Sequence, residues 1–176
     1  MVTAVARVRS AKPSDAGDIA RVHEETWLST YQGIIPHLYL KRLIARRDES
    51  WWSSVIRRSS TKVLVFTFNG EVQGYVSYGA SRNPRRANIG EIYELYLSPT
   101  FQGLGFGKDL FQEAYKQLKC DGRRSLLVWA LSENEMACRF YSHLGGRQCG
   151  SSPERYGDTT LYRVAFLWEP VSRHAR

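Results

Sequence analysis

The segment Leu95-Tyr96-Leu97-Ser98-Pro99-Thr100-Phe101-Gln102-Gly103-Leu104-Gly105-Phe106-Gly107-Lys108 constrains this chain more than any other. A strand-like run stops at a proline, a glycine-dense turn follows, and an amphipathic helical pattern begins. That pattern carries Leu110, Phe111, Ala114, Tyr115 and Leu118 at three- and four-residue spacing. Such a turn leaves several backbone N–H groups without partners at a helix start. With the positive end of the helix dipole they make an anion site suited to a pyrophosphate. Glycine matters there because a side chain would hold the ligand off the backbone.

Two common phosphate fingerprints fit poorly. A P-loop needs Gly-Lys followed by Ser or Thr, and here Gly107-Lys108 is followed by Asp109. The dinucleotide pattern Gly-x-Gly-x-x-Gly can be laid on Gly103 and Gly105, but Lys108 then stands at the third glycine. The pattern that fits is Gln/Arg-x-x-Gly-x-Gly/Ala, as Gln102, Gly105 and Gly107. A second segment lies downstream: Asn134-Glu135-Met136-Ala137-Cys138-Arg139-Phe140-Tyr141-Ser142-His143-Leu144-Gly145-Gly146. The first segment resembles the acetyl-CoA pyrophosphate loop of the GNAT superfamily of N-acetyltransferases. The second resembles its Asn-x-x-Ala-x-x-Phe-Tyr-x-x-x-Gly-Phe motif, with Gly146 where phenylalanine is usual. The resemblance covers about Tyr75 to Leu167. Upstream it is carried by element order and by Trp27-Leu-Ser-Thr-Tyr-Gln-Gly-Ile-Ile-Pro, which looks like the helical start of one bacterial subgroup.

The element pattern agrees with that resemblance. Ala4 to Ser10 alternates as a strand, and Pro13-Ser14-Asp15 starts a helix to about Thr30, with Ser14 or Asp15 as N-cap. Leu38 to Arg46 and the stretch after Asp48-Glu49-Ser50 read as two short helices. Lys62 to Phe68 and Val72 to Tyr78 form a hairpin about Asn69-Gly70, a type I′ signal. Ser81 to Ala87 is an arginine-rich loop, and Ile89 to Leu97 is the strand that runs into the glycine turn. Leu126 to Ala130 reads as a buried strand, Asn134 caps a helix through Leu144, and Thr159 to Trp168 is the last strand. The strand-helix-strand units favour parallel pairing. The expected fold class is α/β: a mixed, mostly antiparallel central sheet of about six to seven strands with helices on both faces, GNAT-like. One acetyltransferase domain spans 1–170, and 171–176 form a basic tail.

What the resemblance implies for chemistry can be placed residue by residue. The strand before the turn is splayed from its neighbour. Leu95, Tyr96 and Leu97 would hold the pantetheine arm and the acetyl carbonyl, with the Leu97 N–H nearest that carbonyl. Backbone groups of Gln102, Gly103, Leu104, Gly105, Phe106, Gly107 and Lys108 would take the pyrophosphate of acetyl-CoA, and Asn134 would bond the pantetheine arm. Tyr141 stands where the family often protonates the departing thiolate, a task suited to a phenol of pKa about 10; packing on the sheet is the plain alternative. Some members carry a glutamate base where this chain has Trp129. Glu94, one residue before the acetyl-binding segment, is preferred as base over Glu91, with a water relay ending on Glu94 or deprotonation by bulk solvent equally consistent; a three-residue separation puts the two on opposite faces of a regular strand. Glu24, Trp27 and Tyr31 belong to the segment that borders the acceptor pocket, where acidic and aromatic side chains suit a cationic amine.

These features describe an N-acetyltransferase moving an acetyl group from acetyl-CoA to a primary amine by direct attack in a ternary complex. Neither Cys120 nor Cys138 has an obvious base partner for a covalent route. A catalytically inactive acyl-CoA-binding module is the alternative. The acceptor is a small-molecule or peptide amine, and a homodimer is left open. The net charge of +8 invites a nucleic-acid reading, but the arginines are scattered and form no basic helix, so no specific nucleic acid is expected. His23, His37 and His143 lack metal-ligand spacing, and no metal is expected. Three cysteines, no span-length apolar run and no secretory leader indicate a cytoplasmic protein with reduced thiols and no membrane.

Overall fold

A computed structural model describes residues 5–86 and 88–170. The expected strand start at Ala4, the loop end at Ala87 and the tail 171–176 lie outside them. In chain order the elements are β1 (Ala6–Ser10), α1 (Ala16–Tyr31), α2 (His37–Ala45), α3 (Glu49–Ile56), β2 (Thr61–Phe68), β3 (Glu71–Ala80), β4 (Gly90–Leu97), α4 (Phe106–Cys120), β5 (Leu126–Leu131), α5 (Glu135–His143), β6 (Arg147–Tyr156) and β7 (Thr159–Trp168). They build one seven-stranded sheet in the order β1-β2-β3-β4-β5-β7-β6.

Local signals explain most boundaries. Asn69 and Gly70 both take positive φ, as a two-residue hairpin of the primed kind requires. Asp48 caps α3 by accepting from Trp51 N–H at 2.8 Å, and Asn134 caps α5 by accepting from Ala137 N–H at 3.1 Å. Asp15 holds the N-cap position of α1 but does not cap it. Its carboxylate instead accepts from Arg9 at 2.7 and 2.9 Å and from Lys12 N–H at 2.7 Å. The Arg9 guanidinium holds the Asp15 carboxyl below its ordinary range.

Two expectations need correction. Arg147–Tyr156 forms a strand that the sequence pattern did not announce. It is polar, carries Pro153, and shifts register between Gln148 and Gly150, features tolerated at a sheet edge. β6 also changes the pairing. The β4-α4-β5 unit is parallel as expected, but β6 turns the chain so that β7 runs antiparallel to β5.

The sheet separates two chemically different layers. α4 and α5 cover one face over a core that includes Leu110, Phe111, Leu118, Val128, Phe140, Phe166 and Trp168. α1 and α3 cover the other face over Ile19, Val22, Trp52, Val65 and Tyr75, and α2 joins Tyr31, Leu40, Leu131 and Leu161 beside them. Gly146, where the motif usually has phenylalanine, sits against Trp168. A Cβ there would lie 2.6 Å from that indole, so the close approach of Trp168 leaves no room for a side chain.

Candidate active site

β4 and β5 pair over three residues, Gly90 to Ile92 with Leu126 to Val128. Beyond that point β4 follows β3 and β5 follows β7, so a slot opens between the two strands. Ser98 N–H donates to Gln73 O at 2.8 Å, which fixes the ladder phase between β3 and β4. Antiparallel alternation then directs the backbone of Tyr96 and Glu94 toward β3 and that of Leu95 and Leu97 into the slot. Gln102 confirms the direction at Leu97: its Nε2 donates to the Leu97 carbonyl at 2.9 Å.

The slot runs into the glycine turn. Gly103 and Gly105 have φ of +74° and +93°, and Gly105 is the N-cap of α4. Backbone bonding of the helix starts with Lys108 and Asp109 N–H, both onto Gly105 O. The N–H groups of Phe106 and Gly107 precede that first turn, the position at which a helix presents bare donors.

α5 enters at the far end of β5. Asn134 uses Oδ1 for its cap, which leaves the two amide hydrogens of Nδ2 as donors. Tyr141 is 6% exposed and packs among Phe111, Phe140, Phe166 and Trp168. Burial raises its phenol above the ordinary range, with smaller contributions from Tyr31 and Cys138. Tyr31 hydrogen-bonds Tyr96 through their hydroxyls at 2.9 Å, and Asn134 also influences the Tyr31 phenol. The structure therefore gathers Tyr31, Tyr96, Asn134 and Tyr141 around one end of the slot. Trp27 meets Tyr31 edge-on with centroids 5.0 Å apart, and Glu24 lies exposed one helical turn earlier on α1.

The two acidic residues of β4 do not point to opposite faces. Ser77 pairs with Glu94 and Tyr78 pairs with Ile92, so Tyr93 is an extra residue in β4. Ile92, Leu95 and Leu97 all join the core under α4, which puts Glu91 and Glu94 on the other face together. Their surroundings differ. Glu91 is filled: Arg82 donates through Nε at 2.8 Å and N–H at 2.8 Å, with a further guanidinium contact at 2.6 Å. Glu94 meets Arg47 through Oε1 at 3.2 Å, and its buried Oε2 has no hydrogen-bond partner among the described residues. Burial raises the Glu94 carboxyl, while Arg47 and then Arg82 lower it.

Two residues at this site, Arg47 and His23, have contacts that escaped the sequence. Arg47 stacks its guanidinium 3.9 Å over Trp51. His23 is fully buried, and its Nδ1 lies 2.7 Å from the Tyr75 hydroxyl. Burial, aided by Arg47, pushes His23 down to about 3, so it is neutral. Trp51 is near Arg47 in sequence, but Glu94 and Tyr75 come from distant strands of the sheet, so no local signal marks those two contacts.

A model of the Acetyltransferase (GNAT) family matches residues 20–145. The uncharacterized N-acetyltransferase YuaI of Bacillus subtilis is 34% identical over 166 residues, which span 94% of each chain. Spermidine N(1)-acetyltransferase of Thermoplasma acidophilum is 26% identical over 136 residues, 76% of this chain and 83% of that one. The crystal structure of PaiA N-acetyltransferase from Thermoplasma acidophilum, in complex with coenzyme A, shares the fold. Its TM-score is 0.74 at 22% identity, covering 91% of this chain and 98% of that one. With a family model over most of its length and a relative alike from end to end, the chain belongs to the GNAT family of acetyltransferases.

Among the described residues no helix is long and apolar enough to cross a membrane, and no group of three or more His, Cys, Asp or Glu is placed to hold a metal ion. Cys120 and Cys149 are exposed, and all three cysteines are free.

Proposed function

We propose that this protein transfers the acetyl group of acetyl-CoA to a primary amine by direct attack in a ternary complex. The observation that carries the reading is the short β4–β5 pairing, which leaves the backbone of Leu95 and the N–H of Leu97 facing the slot immediately before the glycine turn, while the Leu97 carbonyl accepts from Gln102. An extended pantetheine arm fits such an edge, and a pyrophosphate fits the bare donors beyond it.

Acetyl-CoA supplies an activated thioester carbonyl. The chain's own groups do the rest. Leu95 and Leu97 bond the arm as a further strand would, and the Leu97 N–H faces the carbonyl oxygen, where negative charge builds during attack. Gly103 to Lys108 hold the pyrophosphate, and Asn134 Nδ2 donates to the arm. Glu94 Oε2 accepts a proton from the acceptor ammonium, which frees the nitrogen lone pair. The nitrogen bonds the acetyl carbon, the carbon–sulfur bond breaks, and Tyr141 gives its proton to the departing thiolate. Its raised pKa keeps that proton in place until the thiolate forms. The tyrosine regains a proton from the second N–H of the amine through solvent, so the net products are an amide, a thiol and one released proton.

Trp27 and Tyr31 wall the acceptor side, and Glu24 stands at its rim. An amine panel scored by thiol release from acetyl-CoA tests the reading. Turnover with at least one amine is expected. Coenzyme A binding without thiol release from any amine would replace this reading with the inactive binding module.

A further inference from the structure

We propose that the acceptor is an α-amino carboxylate, meaning an amino acid or a small molecule with the same head, and that Arg47 recognises its carboxylate. The inference rests on the reading of Glu94 as the group that meets the acceptor amine.

Arg47 is held in one orientation by two contacts. Its guanidinium carbon lies over the Trp51 ring, 3.9 Å from the centroid, and one nitrogen reaches Glu94 Oε1 at 3.2 Å. Stacking covers a face of the guanidinium, not its N–H edge. A guanidinium has five donors, and Glu94 is the only carboxylate that meets this one among the described residues. The arginine side chain is 33% exposed and the glutamate 10%. The guanidinium is thus the more exposed member of the pair, and Glu94 Oε2 is a buried carboxylate oxygen with no hydrogen-bond partner among the described residues.

Charge balance through the reaction points the same way. At rest, Arg47 and Glu94 neutralise each other. When Glu94 takes the amine proton it becomes neutral, and Arg47 loses its counter-ion in a partly buried place, which is costly. An acceptor with a carboxylate beside its amine supplies a replacement at that moment. Its head also matches the pair in size: amine nitrogen and carboxylate oxygen are about 3 Å apart in an α-amino acid. A zwitterion can thus set its ammonium on Oε2 and its carboxylate on the N–H edge of Arg47, with no net charge added to the site.

Other amine classes fit less well. A peptide N-terminus offers a neutral amide where the carboxylate would be. A polyamine brings further cations toward Arg47, toward Arg82, whose exposed guanidinium covers buried Glu91, and toward Arg163. Arg163 stacks on Trp129 at 4.7 Å on the opposite wall of the slot, and its nearest carboxylate, on Glu154, is 3.9 Å away.

The test uses the purified full chain and acetyl-CoA. Leucine, glutamine and glutamate are each compared with their α-amides, and spermidine is run beside them. At least a tenfold higher kcat/KM is expected for each amino acid over its amide. Arg47→Gln is expected to bring that ratio close to one while coenzyme A affinity holds; Arg47→Lys is expected to restore part of it. Amides or spermidine that equal the amino acids, or a ratio that survives Arg47→Gln, would overturn the proposal. If Glu94→Gln turns over normally, the Glu94 base falls and the Arg47 ratio still decides the acceptor head. If no compound releases thiol, calorimetry on the coenzyme A-saturated chain decides. Amino-acid binding that Arg47→Gln abolishes supports the proposal, and absence of binding to the wild-type protein refutes it.

Discussion

The two sides of the slot are built from different materials. The donor side is made mostly of backbone: the open edge at Leu95 and Leu97, the turn at Gly103 and Gly105, and the start of α4. The acceptor side is made of side chains brought from far apart: His23 on Tyr75 across 52 positions, Tyr31 on Tyr96 across 65, and Arg47 on Glu94. Backbone donors serve any ligand of the right shape and charge, so one donor slot suits a whole family. Side chains on the opposite face can be exchanged without disturbing it, and this is where selectivity can vary.

This contrast can be broken or sharpened. The largest effect is expected at Tyr141, which belongs to the donor side yet acts through its side chain. Tyr141→Phe keeps the ring among Phe111, Phe140 and Trp168 and removes only the hydroxyl. Turnover is expected to fall by about 100-fold, with acetyl-CoA affinity and Tm held. Unchanged turnover with a verified acceptor would make Tyr141 a packing residue.

His23 probes the acceptor side through stability. Its folded pKa of about 3 lies below the ordinary 6.5, so the unfolded chain binds the proton more readily. The stability that depends on neutral His23 is complete above pH 6.5 and is lost as pH falls toward 3. From pH 7 to pH 5 the loss is about 2 kcal/mol. Glu94, whose carboxyl is raised, works in the opposite direction. The readout is therefore the difference in slope between wild type and His23→Gln in urea melts across pH 5 to 7. Equal slopes would mean that His23 does not carry the pH response.

The smallest of these effects concerns the backbone itself. Gly105→Asp puts a charged side chain at a residue of φ +93°, next to the bare donors. Coenzyme A is expected to bind at least about tenfold more weakly, or about 1.4 kcal/mol. Unchanged affinity in a folded variant would remove the pyrophosphate from this turn.

The same division explains what could be read from the chain in advance. Asn69-Gly70, Asp48 before α3, the Gly103–Gly107 turn and the Asn134 cap are local instructions, and each element they announce is present. β6 stayed hidden because an edge strand exposed along most of its length shows no apolar alternation. The antiparallel return of β7 followed from that omission. Arg47 reads as one of the scattered arginines and His23 as a lone histidine without metal-ligand spacing, because their partners lie on β3 and β4. The matched faces of Glu91 and Glu94 were concealed by one extra residue, which no spacing rule exposes.

That extra residue, Tyr93, acts as a phase shift in β4. Upstream of it the odd-numbered Glu91 points toward the acceptor layer; downstream the even-numbered Glu94 and Tyr96 do. The strand is in effect two sentences read in different frames. The first anchors the sheet and the second addresses the reaction. Deleting Tyr93 would therefore only restore plain alternation: Glu94 would follow Ile92 opposite Ser77 as it does now, still toward the amine, and Leu95 would stay under α4. Letters after Tyr93 keep their faces when they are exchanged; removing a paired residue below the bulge is what would swap them.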